Sequence, residues 1–178
     1  MLAVWMRKWT NYGKKVNGVT KRLRLSSRKI YTKKRSRCMT TERIILDTNS
    51  LLASLSRRGF YYPVWKGFLM GMYTLCVSNE ILEEYEEIIG AKTSPIVARN
   101  VIELLLNSKN VELIDPHFHL ELIVADPDDN KFVDCAFASN ASFIVSDDTH
   151  YNVLHDVSFP KIAVIKLREF LNQITRQM

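Results

Sequence analysis

Short runs of apolar residues alternate with amphipathic stretches from about residue 42 to the C-terminus, and this alternation limits the possible folds. A strand with one face in water alternates apolar and polar side chains, but these runs are apolar throughout, so both faces must be buried. The pattern predicts an α/β protein, a three-layer α/β/α sandwich around a mainly parallel sheet. The predicted strands are 43–47, 73–78, 111–115, 142–148 and 161–166.

The stretches between these runs have the 3.6-residue apolar period of helices. The helix predicted over 78–89 has Ser78 as its candidate N-cap and an apolar stripe that consists of Ile81, Leu82, Tyr85, Ile88 and Ile89. Further helices are predicted over 95–107, 128–139 and 167–174. The stripe predicted to be buried in the third of these four helices consists of Phe132, Val133, Ala136 and Phe137.

The basic residues are distributed unevenly along the chain. Residues 1–40 contain 13 Lys and Arg and no acidic residue, so the remaining 12 basic residues face 19 acidic residues in 41–178. Three interpretations of this leader stay open: a nucleic-acid-binding arm, an organellar targeting segment, or an over-long start. Because Met39 directly precedes the first organised segment, we favour the over-long start. We predict a basic leader over 1–40 and one domain over 41–178.

Cysteine usage and hydropathy limit where such a chain can act. Cys38, Cys76 and Cys135 form neither a C-x-x-C pair nor an even framework, so we expect three reduced thiols in a cytoplasmic protein. The longest apolar stretch, 68–77, is much shorter than the roughly 20 residues of a membrane-spanning helix. No membrane span is expected.

Several acidic residues stand where a carboxylate is unusual. Asp47 ends the first predicted strand, and Asp147 and Asp148 end the fourth, at the sheet edge where parallel α/β folds bind ligands. Taken alone, Asp47 could equally form a turn or cap a helix. Asp129 faces the apolar stripe of its helix, where a carboxylate is costly unless it is paired or bound to metal. Asp128 fits an ordinary acid at a helix N-terminus better.

Two further acids are candidates for the rim of the same site. Glu84 flanks the apolar stripe of the 78–89 helix near its start, whereas Glu83 and Glu87 point to solvent. Asp134 is turned away from its stripe and is either solvated or at the rim. Carboxylates that converge without basic partners suit Mg²⁺ or Mn²⁺, and two such ions can drive hydrolysis of a phosphodiester. The residues therefore predict metal-dependent hydrolysis of nucleic acid.

Three histidines give weaker signals. His117 and His119 could form a metal pair, but they have no third ligand nearby in the sequence, so we expect a structural role. His150 closely follows Asp148, and a surface or packing role is expected for it, with contact to RNA as the alternative.

Four segments between about 42 and 174 have a specific combination of motifs: Asp-Thr-Asn after the first strand, a Ser-x-x-Ile-Leu-x-Glu helix, an Asp-x-x-x-x-x-x-Ala helix, and an Asp after the following strand. Together they resemble PIN-domain proteins of the kind that act as toxins of toxin–antitoxin pairs. The segments are RIILDTNSLLASL, SNEILEEYEEII, DPDDNKFVDCAFASNASFIVSDDTHY and FPKIAVIKLREFL.

The resemblance implies a PIN-like fold and a set of site residues. The acids that would bind metal and act in catalysis are Asp47, Glu84, Asp129 and Asp148. The polar residues that would support them are Thr48, Asn49 and Ser146. Three extra acids could share the site, and one of them is an alternative to the fourth ligand; these are Asp128, Asp134 and Asp147. The implied activity is a Mg²⁺- or Mn²⁺-dependent endoribonuclease with an RNA substrate, a small antitoxin partner and a homodimeric state.

Two other functions stay open. The first is a catalytically idle nucleic-acid-binding or regulatory module, in which the basic leader over 1–40 supplies the affinity. The second is a phosphate-accepting signalling domain, because such folds also place acids at strand ends. That domain needs a second acid two residues after the first, and Asn49 stands there instead.

Overall fold

The computed structural model describes residues 42–178, so the predicted leader, the start at Met39 and Cys38 lie outside the described residues. The strands of the described part are β1 (Arg43–Leu46), β2 (Thr74–Val77), β3 (Val111–Leu113), β4 (Phe143–Val145) and β5 (Val164–Ile165). Its α-helices are α1 (Thr48–Leu55), α2 (Tyr62–Leu69), α3 (Asn79–Lys92), α4 (Pro95–Leu106), α5 (Asn130–Ser139) and α6 (Leu167–Gln177). Two 3₁₀ helices cover Pro127–Asp129 and His150–His155.

The five strands form one sheet in the order β3-β2-β1-β4-β5. Every strand pair is parallel, with Ile44 of β1 beside Leu75 of β2 and Phe143 of β4, so the predicted parallel sheet is confirmed. The chain builds β1, β2 and β3 towards one edge and then returns to add β4 and β5 on the other side. β1 and β4 therefore flank the point where the strand order reverses, and the crevice beyond their C-terminal ends is the expected ligand site.

Helices cover both faces of this sheet. Ile44, Ile45 and Leu46 are all buried, and because successive side chains of a strand point to opposite faces, both faces of the central strand β1 are covered. Helix α5 packs against β1, β2 and β4. Helix α6 packs against α2 and reaches the sheet region through Phe170, whose ring lies 5.2 Å from that of Tyr73. The predicted sandwich is thus present.

The ends of several elements differ from the sequence prediction. Ser78 caps α3 as predicted, since its Oγ accepts a hydrogen bond of 3.2 Å from the backbone N–H of Ile81. Strand β5 has only two residues, and α5 begins at Asn130 because a 3₁₀ turn precedes it. The prediction that Phe137 is buried is wrong. Its side chain is 36% exposed and contacts the rings of Phe118 and Phe159 at the surface.

None of the helices in residues 42–178 is long and apolar enough to cross a membrane. Cys76 and Cys135 are both buried and free among the described residues, and the reduced state of these thiols stays a prediction.

Candidate metal centre

The crevice between β1 and β4 holds the first predicted acid. Asp47 directly follows β1, and its backbone N–H donates a hydrogen bond of 3.1 Å to the carbonyl of Val145 at the end of β4. Its carboxylate accepts a hydrogen bond of 3.2 Å from the Oγ of Ser146, the next residue along. Both side chains are buried. The parallel pairing of two central strands therefore fixes a carboxylate at the bottom of the crevice.

The surroundings of Asp47 disfavour its charged form. Burial raises the pKa of this carboxyl from 3.8 to about 7. The hydrogen bond from Ser146 counteracts the rise in pKa, whereas the nearby charges of Asp129 and Glu84 add to it. Asp129 and Glu84 thus both lie close enough to Asp47 to repel its charge, as ligands of a shared cation do when no cation is bound.

Glu84 reaches the same crevice from helix α3. One of its carboxylate oxygens accepts a hydrogen bond from the Oγ of Thr48, the residue after Asp47. The other lies 2.6 Å from the Nζ of Lys131 in α5. The expectation that these acids lack basic partners is therefore wrong for Glu84, because the first turn of α5 brings a lysine into the site.

Asp129 points inward, as its sequence position predicts. It occupies the N-cap position of α5, and its side chain is only 16% exposed. The hydroxyl of the buried Tyr151 donates a hydrogen bond of 3.2 Å to its Oδ1. Burial raises the pKa of Asp129, and the charge of Asp126 raises it further. Among residues 42–178 the structure thus supplies one hydrogen-bond donor to this acid and leaves its other oxygen without one.

Asp148 is oriented by its own turn. Its backbone N–H donates to the Oγ of Ser146 at 3.0 Å, and its carboxylate accepts a hydrogen bond of 2.9 Å from the backbone N–H of His150. Asp147, in contrast, accepts a hydrogen bond of 3.1 Å from the backbone N–H of Leu167 at the start of α6. This bond directs Asp147 to a helix end, and Asp148 lines the cleft instead.

The remaining predicted residues lie around this centre. Asp128 and Asn49 are exposed and line the cleft. Of the two alternatives for Asp134, the solvated one is wrong, because the residue lines the cleft and is 2% exposed. It accepts a hydrogen bond of 2.9 Å from the backbone N–H of Leu120 and lies 3.2 Å from the Nδ1 of His119. Asp134 thereby ties the segment before the first 3₁₀ helix to α5.

A cleft of about 1070 Å³ opens above the four acids, slightly above the roughly 300–1,000 Å³ of typical small-ligand sites. Among residues 42–178, eleven carboxylates and a single lysine, Lys131, line it, and we call it the acidic cleft. Its acids are Asp47, Glu80, Glu83, Glu84, Glu87, Glu121, Asp126, Asp128, Asp129, Asp134 and Asp148. Such a cleft concentrates cations and, without them, repels anions.

The donor atoms at the floor of the cleft fit a divalent cation. Carboxylate oxygens are the ligands that Mg²⁺ and Mn²⁺ prefer. Two buried polar atoms, the Oδ2 of Asp129 and the Nδ1 of His150, have no hydrogen-bond partner within residues 42–178. Buried polar atoms without hydrogen-bond partners are rare, and a carboxylate oxygen and an imidazole nitrogen are both suitable ligands for a divalent cation.

Sequence patterning missed three residues of this centre. Asp126 and His150 group with Asp129 through donor atoms that all lie within 4.8 Å of one another, and Lys131 pairs with Glu84. The density of acids in Asp-Pro-Asp-Asp and the position of His150 two residues after Asp148 were available signals. Neither signal gives the path of the 3₁₀ helices that bring these side chains together.

Comparisons with known proteins give a family and a shared fold. A family model described as PIN domain matches residues 43–150. A chain of the crystal structure of VapBC2 from Rickettsia felis, bound to a DNA fragment from their promoter, shares the fold: TM-score 0.50, 16% identity, 70% of this chain and 98% of that chain covered. The structure of the PIN domain endonuclease Utp24 matches with TM-score 0.43 and 15% identity, covering 70% and 84% respectively. The comparison with curated proteins finds no match.

Proposed function

The chain belongs to the PIN-domain family, and from that membership we propose that it is a divalent-metal-dependent endoribonuclease that hydrolyses RNA phosphodiesters. The single observation that carries the proposal is the convergence of four acids from four segments at the C-terminal ends of β1 and β4. The proposed ligands of Mg²⁺ or Mn²⁺ are Asp47, Glu84, Asp129 and Asp148.

Each of these carboxylates has a polar partner that fixes its position before a cation binds, which lowers the cost of assembling the site. When bound, the ions activate water and offset the charge that develops on the phosphodiester oxygens. The residues themselves supply the geometry. The four acids with their partners are Asp47 with Ser146, Glu84 with Thr48 and Lys131, Asp129 with Tyr151, and Asp148 with the backbone N–H of His150.

The charge of the acidic cleft favours catalysis over passive binding of nucleic acid. A module that bound RNA in this cleft without metal would need basic residues there to neutralise phosphates, whereas the described part of the chain lines the cleft with eleven carboxylates and one lysine. A phosphate-accepting domain is disfavoured as well, because the exposed Asn49 stands where its second acid would be needed.

The proposal extends to partners and domain organisation. We propose that residues 41–178 carry the activity and that the chain is a cytoplasmic toxin inhibited by a small antitoxin. The motif resemblance supports this role, and so does the fold shared with a chain of VapBC2. A homodimeric state is proposed on the motif resemblance alone.

The test uses the full chain, stripped of metal with EDTA, and single-stranded RNA and DNA of one sequence. We expect RNA cleavage when Mn²⁺ or Mg²⁺ is restored and none in excess EDTA. Salt-sensitive RNA binding without cleavage under either condition would contradict the proposal and favour the idle binding module.

A further inference from the structure

We propose that His150 supplies a nitrogen ligand to the metal centre, together with oxygens of Asp126 and Asp129, and that the centre therefore prefers Mn²⁺ and later transition-metal ions to Mg²⁺. The inference rests on the proposed metal-dependent function. It adds two ligands that the motif resemblance does not assign, and it states which class of cation the site selects.

The first support is the arrangement of carboxylate oxygens around the imidazole. The Nδ1 of His150 lies 3.4 Å from the Oδ2 of Asp129 and 3.7 Å from the Oδ2 of Asp126. An oxygen of Asp148 lies 3.5 Å from the same nitrogen. Three carboxylates, two from the Asp126–Asp129 turn and one from the segment after β4, thus face one nitrogen, and the Asp126, Asp129 and His150 atoms are mutually within 4.8 Å.

These spacings fit ligands around a cation better than they fit hydrogen bonds. An N–H···O hydrogen bond joins heavy atoms about 2.7–3.2 Å apart, and each of the three distances is longer. Ligand atoms bound to a metal at about 2.1 Å, at octahedral or tetrahedral angles, lie roughly 3.0–3.5 Å from one another. The two shortest distances from the imidazole nitrogen lie in or at the end of that range.

The second support is that the two atoms at the centre of this group lack hydrogen-bond partners among residues 42–178. The Oδ2 of Asp129 and the Nδ1 of His150 are both buried, and their only close polar contacts in the described part are the 3.4 Å approach to each other and those to the neighbouring carboxylates. Other bonds hold both residues in place. The backbone N–H of His150 donates to Asp148, and the hydroxyl of the next residue, Tyr151, donates to the other oxygen of Asp129. The chain therefore fixes both residues while it leaves the two facing atoms free for a ligand.

A nitrogen ligand changes which cations the centre selects. Mg²⁺ demands oxygen ligands and retains much of its water, whereas imidazole suits zinc, copper, iron and nickel ions. Mn²⁺ lies between these groups because it accepts carboxylates readily and binds N/O sites more weakly than the later metals. Asp126 and Asp129 keep the centre accessible to hard cations, and His150 moves its preference away from Mg²⁺.

The experiment uses the full chain loaded with Mn²⁺ and the electron spin echo signal of the bound ion, which is modulated by a coordinated ¹⁴N nucleus. We expect ¹⁴N modulation in the wild type and its loss in His150→Asn. The matched control is His155→Asn, because His155 is an exposed histidine of the same 3₁₀ helix. This control should keep the modulation. By calorimetry, His150→Asn should weaken Mn²⁺ binding about tenfold and Mg²⁺ binding less than about twofold.

Mn²⁺ bound to the wild type without ¹⁴N modulation overturns the inference, and this result needs no variant to fold. Equal weakening of Mn²⁺ and Mg²⁺ binding in a folded His150→Asn protein also overturns it. RNA cleavage distinguishes failure of the histidine ligand from failure of the proposed nuclease function. A wild type that cleaves RNA with Mn²⁺ but lacks ¹⁴N modulation refutes the histidine ligand alone, whereas a wild type that binds neither metal refutes the proposed function and the inference together.

Discussion

The Oγ of Ser146 donates a hydrogen bond of 3.2 Å to the carboxylate of Asp47, although 99 positions separate the two residues in the chain. The same hydroxyl accepts a hydrogen bond of 3.0 Å from the backbone N–H of Asp148. One buried serine at the end of β4 therefore orients two of the four proposed ligands. Its bond to Asp47 stabilises the charged carboxylate and limits the rise in pKa that burial causes.

The first prediction concerns this serine. In Ser146→Ala, Asp47 loses a donor to its charged form, so its pKa should rise above about 7. Loss of a hydrogen bond to a buried charge is worth about 1–3 kcal/mol, so Mn²⁺ affinity at neutral pH should fall about tenfold. Calorimetric titrations between pH 6 and 8, where Asp47 ionises, should show that the pH of half-maximal affinity moves upward.

The matched control is Ser54→Ala, because Ser54 is also buried but donates its hydrogen bond of 2.7 Å to the carbonyl of Leu51 within α1. This variant should lose stability and keep the wild-type pH dependence of Mn²⁺ binding. If the two variants change that dependence equally, the hydrogen bond from Ser146 does not set the ionisation of Asp47.

The second prediction follows from the direction in which folding shifts the pKa of Asp47. Its pKa is about 7 in the folded chain, above the value of about 3.9 expected when unfolded. Between these two pKa values the folded state keeps the Asp47 proton that the unfolded state has lost. The contribution of this proton to the free energy of unfolding is fully present below about pH 4 and is lost as pH rises through about 7. In EDTA, Asp47→Asn should melt at or above the wild-type temperature near pH 8, with a smaller advantage near pH 5. Thermal melts of the two proteins between about pH 5 and pH 8 measure the difference in melting temperature at each pH.

With Mn²⁺ present, the wild type should melt at a higher temperature than Asp47→Asn, the reverse of their order in EDTA. An ion that binds the folded state adds about 2.7 kcal/mol at a hundredfold excess over its dissociation constant, and Asp47→Asn should lose most of that gain. Asp128→Asn is the control, because Asp128 is exposed at the cleft wall. An equal Mn²⁺ shift in wild type and Asp47→Asn would exclude Asp47 from the metal centre.

The third prediction concerns Lys131, whose ammonium lies 2.6 Å from Glu84. Lys131→Gln leaves Glu84 among like charges, so the protein in EDTA should lose about 1 kcal/mol of stability, a modest value because both side chains are partly exposed. Mn²⁺ should recover more stability in this variant than in wild type. Melts with and without Mn²⁺ measure the difference, and the exposed Lys161→Gln is the control. An unchanged melting temperature in EDTA would rule out this role of Lys131.

The sequence was informative where structure repeats along the chain. Apolar runs such as Ile44–Leu46 predicted strands buried on both faces, and their parallel arrangement then placed Asp47 and Asp148 at one edge of the sheet. The apolar stripe of α5 correctly predicted that Asp129 points inward. These predictions needed only local periodicity and the rule that parallel strands end on the same side.

The rest of the site depends on irregular backbone. Asp126 and His150 meet because two 3₁₀ helices turn their side chains towards Asp129, and no periodic pattern encodes such turns. Two side chains of α5 are also placed differently from what its apolar period indicates: Phe137 is partly exposed, and Asp134, for which solvent or the site rim was expected, is buried. Asp134 is buried because it binds the backbone of Leu120, a contact made by a segment without regular structure. Long-range partners of this kind cannot be predicted from the period of one helix.

The most direct test of the account compares RNA cleavage by Asp129→Asn and Asp128→Asn at saturating Mn²⁺. The two residues are neighbours, but only Asp129 is inward, held by Tyr151 and part of the ligand group around His150. Asparagine keeps the shape and the hydrogen-bond acceptor while it removes the charge. The account predicts that Asp129→Asn folds but loses cleavage by at least about a hundredfold, whereas Asp128→Asn stays near the wild-type rate. Near-normal cleavage by Asp129→Asn would contradict the metal centre described above.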